Sequence, residues 1–199
     1  VAPTDKYMVL QGMEPRLDWL GDANSIIRMV DQGRICLFHN NKWRSRFHRN
    51  GVQVSSGFSE LPPRAARLDA KATFNKAKMF QTTLPDDRGS DWTRTVVSLD
   101  DSITLVFDDI MAKVPKAFSA ICTWRTPVSS RLDGRDWNSR LNGVDFHVVS
   151  AAKLRGDTVV EPMLPGEIAL RGTGLRQIQY AKLDAGQRIT FRNLLYTKG

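Results

Sequence analysis

Short apolar runs bounded by Gly, Asn, Asp or Ser recur along the 199-residue chain. Their spacing has the period of two that belongs to a strand, and long stretches of helical periodicity are missing. Residues 25–30 and 34–38 predict two strands joined through Asp31-Gln32-Gly33. A third strand, 42–48, follows the Asn40-Asn41 turn, and a short one covers 52–55. The clearest hairpin is 93–99, the acidic turn Asp100-Asp101-Ser102, then 103–107, where β-branched and aromatic residues alternate. Residues 118–124, 144–150 and 187–192 continue the pattern, with weaker strands near Ile168 and Ile178. The segment 61–79 is mixed: Ala65, Ala66, Leu68, Ala70 and Ala72 suit a helical turn or two, whereas Pro62-Pro63, Thr73 and Phe74 suit loop and strand. From 127 to 143 Ser, Asp, Gly, Arg and Asn dominate, which predicts a long exposed loop.

Strand follows strand with little helix between, which disfavours parallel βαβ units. The layer solution is all-β: an antiparallel two-sheet β-sandwich with little helix, each sheet burying the apolar face of the other. No repeat or linker interrupts the pattern, so residues 1–199 read as a single domain.

Alternation gives the strand at 42–48 two unlike faces. Lys42, Arg44, Arg46 and His48 share one side; Trp43, Ser45 and Phe47 share the other. Such a strand is either a solvated edge whose cations discourage edge-to-edge pairing or a surface built to meet an anion. No Asp or Glu occurs between Asp31 and Glu60, and Arg34 and Arg49 extend the basic block. That favours the second reading.

Composition adds a partner class. A net charge of +8 and a hydrophobic content of 41% describe a chain with a full core and an affinity for polyanions: nucleic acid, an anionic membrane surface or an acidic polysaccharide. No apolar run is long enough to span a bilayer, and Val-Ala-Pro-Thr-Asp-Lys is not a secretory signal, which suits a processed or excised fragment. Cys36 and Cys122 lie in apolar, strand-like surroundings and read as small buried hydrophobes before they read as a disulfide. Two Cys and three scattered His exclude a zinc finger or ribbon, so no metal and no cofactor is expected. Adjacent strand residues point oppositely, so Asp108 and Asp109 cannot easily flank one glycosidic bond; pairing with Arg or forming a turn is the better role. Trp43, Trp92 and Trp124 fall in predicted strands and read as core. Trp137, in Arg135-Asp136-Trp137-Asn138-Ser139-Arg140, falls in the polar loop between cations, where it is either a sugar platform or an indole tucked under its own loop. His39 and His147 sit beside strong strand residues, where packing and one hydrogen bond account for them.

Two stretches carry a family resemblance. Trp92-Thr93-Arg94-Thr95-Val96-Val97-Ser98-Leu99, with the apolar strand ending at Asp108-Asp109 and the later Cys122-Thr123-Trp124-Arg125-Thr126, resembles the C-terminal β-sandwich of heparinase II/III-like polysaccharide lyases. Upstream, Phe47-His48-Arg49-Asn50-Gly51-Val52-Gln53-Val54-Ser55-Ser56-Gly57 is similar to that family's His-Asn-x-Val-x-Val-Asp-Gly stretch. Here Arg49 separates His48 from Asn50, and Ser55-Ser56 replaces the acidic residue before Gly57. The resemblance implies an α-helical toroid domain elsewhere in the parent chain, an acidic (uronate) polysaccharide as partner, and an extracellular or periplasmic location.

β-Elimination of a uronate glycan needs a neutralised carboxylate, a base for the adjacent C–H and an acid for the leaving oxygen. Lys42, Arg44, Arg46, Arg49, Asn50, Arg135, Trp137 and Arg140 are the candidate substrate-binding residues. His48 is the candidate proton-transfer group, since its ordinary pKa lies near neutrality. These do not complete an acid–base set, so the chain is expected to bind or position the glycan without catalysing alone. The alternatives are a basic β-domain holding nucleic acid, less favoured because Trp43 and Phe47 face away from the cations, and a structural module without ligand.

Overall fold

Val144 to Ser150 alternate as the sequence predicts: Val144, Phe146, Val148 and Ser150 are buried, while Asp145, His147 and Val149 between them are half-buried. The same period runs through the computed structural model, which describes residues 6–13, 23–39, 49–57, 65–99, 103–152 and 172–199 together with the backbone of 155–160. In chain order the strands are β1 Tyr7–Gln11, β2 Ser25–Asp31, β3 Arg34–Phe38, β4 Gly51–Ser55 and β5 Arg67–Thr73. They continue with β6 Ala77–Asp87, β7 Ser90–Leu99, β8 Ile103–Ala112, β9 Lys116–Thr126 and β10 Ser130–Asp133. The last five are β11 Asp136–Leu141, β12 Val144–Ser150, β13 Arg155–Val160, β14 Thr173–Leu183 and β15 Arg188–Lys198. Among the described residues there is no helix, hence none long and apolar enough to cross a membrane.

An eight-stranded antiparallel sheet in the order β10-β11-β12-β15-β8-β7-β6-β5 forms one layer. The facing layer is divided into a four-stranded sheet, β13-β14-β9-β4, and a three-stranded one, β1-β2-β3. An isolated bridge, Ile26 N–H to Asn50 O at 2.9 Å, ties these two together. The expected sandwich is therefore present, with its second layer built from two sheets. Trp92, Val106, Ile110, Phe146 and Phe191 of the large sheet meet Phe118, Cys122, Trp124, Ile26 and Leu37 from the other side in one buried core.

Two sequence expectations are corrected. Residues 127–143 are not one long loop. They contain β10 and β11, whose polar residues fall on outward and edge positions while Trp137, Ser139 and Leu141 turn inward. The turn to β12 is Asn142-Gly143 with φ of 51° and 92°, the left-handed pair that a two-residue hairpin requires. In the mixed region, the described residues 65–79 take the extended alternative: β5 and the start of β6. As the edge strand, β5 is almost wholly exposed and carries Arg67 and Lys71, charges that oppose edge-to-edge pairing. The strand near Ile178 extends to all of β14, while that near Ile168 lies outside the described residues.

Cys36 and Cys122 are free and buried. Burial, and secondarily the nearby Asp31, pushes the Cys36 thiol up to about 12. Burial, with Asp108 beside it, raises that of Cys122 well above its ordinary value. Both are held as thiols, fit for packing and unfit for nucleophilic work.

Candidate functional site

The Trp-x-Arg strand folds into a sealed polar centre. Arg94 on β7 and Asp108 on β8 are directly paired across the large sheet and both point inward. Arg94 Nε and Nη2 donate to the two Asp108 oxygens at 2.7 and 3.0 Å, and Trp92 Nε1 donates to Asp108 Oδ1 at 2.8 Å. Arg94 Nη1 donates to the Asn24 and Asn50 carbonyls at 3.1 and 2.9 Å. The guanidinium carbon lies 4.9 Å from the Trp92 ring centroid and 5.7 Å from that of Trp124. Both charged groups are wholly buried. Asp108 is thus the arginine partner that the sequence suggested, and Asp109, facing the other way, accepts from Thr190 Oγ1 at 2.6 Å.

Asn50 is the clasp of this centre. Its Nδ2 donates to the Ile26 and Phe38 carbonyls at 3.0 and 3.1 Å, and its Oδ1 accepts from Arg125 N at 2.6 Å. One carboxamide so joins β2, the end of β3, the start of β4 and the C-terminal end of β9. The approach is close: a Cβ on the neighbouring Gly51 would stand 2.5 Å from Ser25 Oγ and 3.1 Å from Trp92, so glycine is required there. Arg125 is buried with its guanidinium carbon 4.2 Å from the Phe38 ring centroid, and desolvation lowers its pKa to about 10.

The predicted binding residues therefore separate. Lys42, Arg44, Arg46 and His48, with Trp43 and Phe47, lie outside the described residues. Arg49 and Asn50, just after them, are buried. The amide hydrogens of the Asn50 side chain are both committed, so it fixes the backbone instead of presenting itself to a ligand. Trp137 is also corrected: alternation along β11 sends its indole inward, where it is fully buried and faces no solvent. Arg140 is exposed, 3.7 Å from Asp145. His147 is held by the Asp136 carboxylate at 3.0 Å and stacks on Tyr196 with ring centroids 4.5 Å apart. Arg135 is exposed in the β10–β11 turn.

Described residues line two surface depressions. One, of about 320 Å³, lies on the outer face of the large sheet between Leu105, Phe107, Val149 and Leu194, with Arg135 and Arg192 at its border. The other, open and about 540 Å³, lies on the outer face of the four-stranded sheet, where Tyr180, Ser119 and Ser55 are cross-strand neighbours and Lys182 is alongside. Tyr180 is 67% exposed. Neither Arg192 nor Tyr180 stands out in the sequence, because each sits singly in an ordinary strand pattern. Among the described residues, no three His, Cys, Asp or Glu side chains gather as metal ligands.

No protein-family model and no curated protein matches the sequence. Solved structures do match the fold. A heparinase III superposes with a TM-score of 0.73 at 10% identity, over 98% of this chain and 33% of that one. Heparan sulfate lyase HepC from Pedobacter heparinus gives 0.70 at 14% identity, over 96% of this chain and 33% of that one. The chain thus spans about one third of the length of these structures, and it has the fold of that third. A protein from Synechocystis sp. PCC 6803 gives 0.52 at 8% identity over 98% of this chain and 96% of its own, so there the fold occupies nearly the whole chain.

Proposed function

We propose that this chain is the β-sandwich module of a heparinase II/III-like polysaccharide lyase, one domain of a longer protein, which binds or helps position an acidic uronate polysaccharide and is not catalytically complete alone. The observation that carries the reading is the fold likeness to one third of a heparinase III over almost the full length of this chain. The net charge of +8 agrees with a polyanionic partner. Arg94 is sealed inside, so neutralising a substrate carboxylate is assigned to other cations, foremost Lys42, Arg44 and Arg46 of the basic stretch in the sequence. His48, an imidazole whose ordinary pKa lies near neutrality, is the proton-transfer candidate on that segment. A helical toroid of the parent chain supplies the remaining acid–base groups, and the protein works outside the cytoplasm.

Unsaturated uronate products absorb in the ultraviolet, so turnover is read directly. The isolated chain is expected to bind a uronate polysaccharide without generating that absorbance. Arg44→Ala/Arg46→Ala is expected to weaken binding at least about tenfold, 1.4 kcal/mol, while stability moves by no more than about 0.5 kcal/mol per site. Robust turnover abolished by His48→Ala would overturn the incomplete-site reading. Unchanged affinity in the arginine pair would remove the 42–46 segment from the binding surface.

A further inference from the structure

The outer face of a sandwich sheet is ordinarily polar, because it meets water. Here one part is not. Val149, Leu194 and Leu105 are consecutive cross-strand partners on β12, β15 and β8, and Phe107 is paired with Arg192 one step along. These four half-buried apolar side chains floor the 320 Å³ cleft.

The two arginines at its border are held by consecutive residues. Ser150 N–H donates to the Arg135 carbonyl and Ala151 N–H to the Arg192 carbonyl, each at 2.9 Å. Successive strand amides point to opposite sides, so the two backbones flank the β12 end, and their Cα atoms lie about 10 Å apart, two strand spacings. Arg135 Nη1 also donates to the Ala151 carbonyl at 3.0 Å, which orients its guanidinium and leaves its other N–H groups without a partner among the described residues. Neither arginine is ion-paired among the described residues, although this chain pairs other exposed cations, as in Arg67–Asp69 and Lys113–Asp86. An apolar floor bordered on one side by two guanidiniums that have no ion pair among the described residues suits a ligand that has a flat C–H face and an anionic edge.

We propose that this cleft is a second glycan subsite that takes one uronate unit, the carboxylate held by Arg135 and Arg192 and the apolar ring face resting on Phe107 and its aliphatic neighbours. The proposal rests on the uronate-polysaccharide reading and adds a site on the opposite side of the large sheet from Asn50, which touches the inward-facing Arg94. A glycan long enough to reach both would bind with the avidity of two linked sites.

The test uses the chain with Lys42→Gln/Arg44→Gln/Arg46→Gln, which removes the charges of the first segment, and a glucuronate-containing tetrasaccharide as probe. Expected are amide chemical-shift changes centred on Ser150, Ala151, Asn193 and Leu194, and an affinity that falls at least about tenfold in Arg135→Gln/Arg192→Gln with an unchanged melting temperature. A carboxyl-reduced tetrasaccharide should produce no such shifts. Shifts elsewhere, with affinity indifferent to the arginine pair, would overturn the subsite and leave the proposed function standing. Failure of the unsubstituted chain to bind any uronate glycan, polymeric ones included, would overturn both. If an acidic aliphatic peptide engages the arginine pair and the tetrasaccharide does not, the cleft is a peptide site and the glycan assignment is wrong.

Discussion

Asp108→Ala is expected to remove most of the stability of this domain. The substitution leaves the Arg94 guanidinium in the core without its counter-ion, and breaking a buried pair from one side costs about 3–5 kcal/mol. It also orphans Trp92 Nε1, which donates to the same carboxylate, for about 1–3 kcal/mol more. Against a typical total of about 5–15 kcal/mol, that is unfolding or close to it. At about 2–4 °C per kcal/mol for a chain of this size, the melting temperature should drop by at least about 6 °C. Replacing both partners, Arg94→Met with Asp108→Leu, should melt above the single variant, because no charge is then stranded. A melt of Asp108→Ala within a degree or two of the unsubstituted chain would mean that the pair is not sealed from water.

Trp137→Ala should be nearly as damaging, at about 3–5 kcal/mol for a large aromatic removed from a packed core. The test discriminates between roles: an indole that stacks on sugar would lose affinity and keep its melting temperature, whereas this one should lose stability while the fraction still folded binds glycan normally. Loss of binding at constant stability would restore the platform reading and contradict the burial of Trp137.

These two residues also mark how far the sequence can be read. Asp108 was legible because its environment is local: strict alternation over 103–107 and again around Trp92 and Arg94 places a carboxylate and a guanidinium on the same side of adjacent strands. Strand 144–150 was legible for the same reason. Composition misplaces Trp137, and period does not. Asp133-Gly134 and Asn142-Gly143 are hairpin dipeptides at either end of an alternating run, and they signal two strands where abundant Ser, Asp and Arg suggest a loop. Asn50 was unreadable for another reason. Its side chain serves Arg125, 75 residues away, and its carbonyl serves Arg94, 44 away; local pattern carries no trace of such a clasp. Arg192 likewise gains meaning only when β15 is laid between β12 and β8.

The most direct measurement of the central claim is a pair of titrations at one ionic strength, with a uronate polysaccharide fragment and a single-stranded oligonucleotide carrying the same number of charges. Both polyanions release condensed counterions when a basic protein neutralises them, so charge alone predicts similar affinity. A uronate-binding module should hold the glycan at least about tenfold more tightly, 1.4 kcal/mol. An oligonucleotide bound as well as the glycan, or better, would contradict the account.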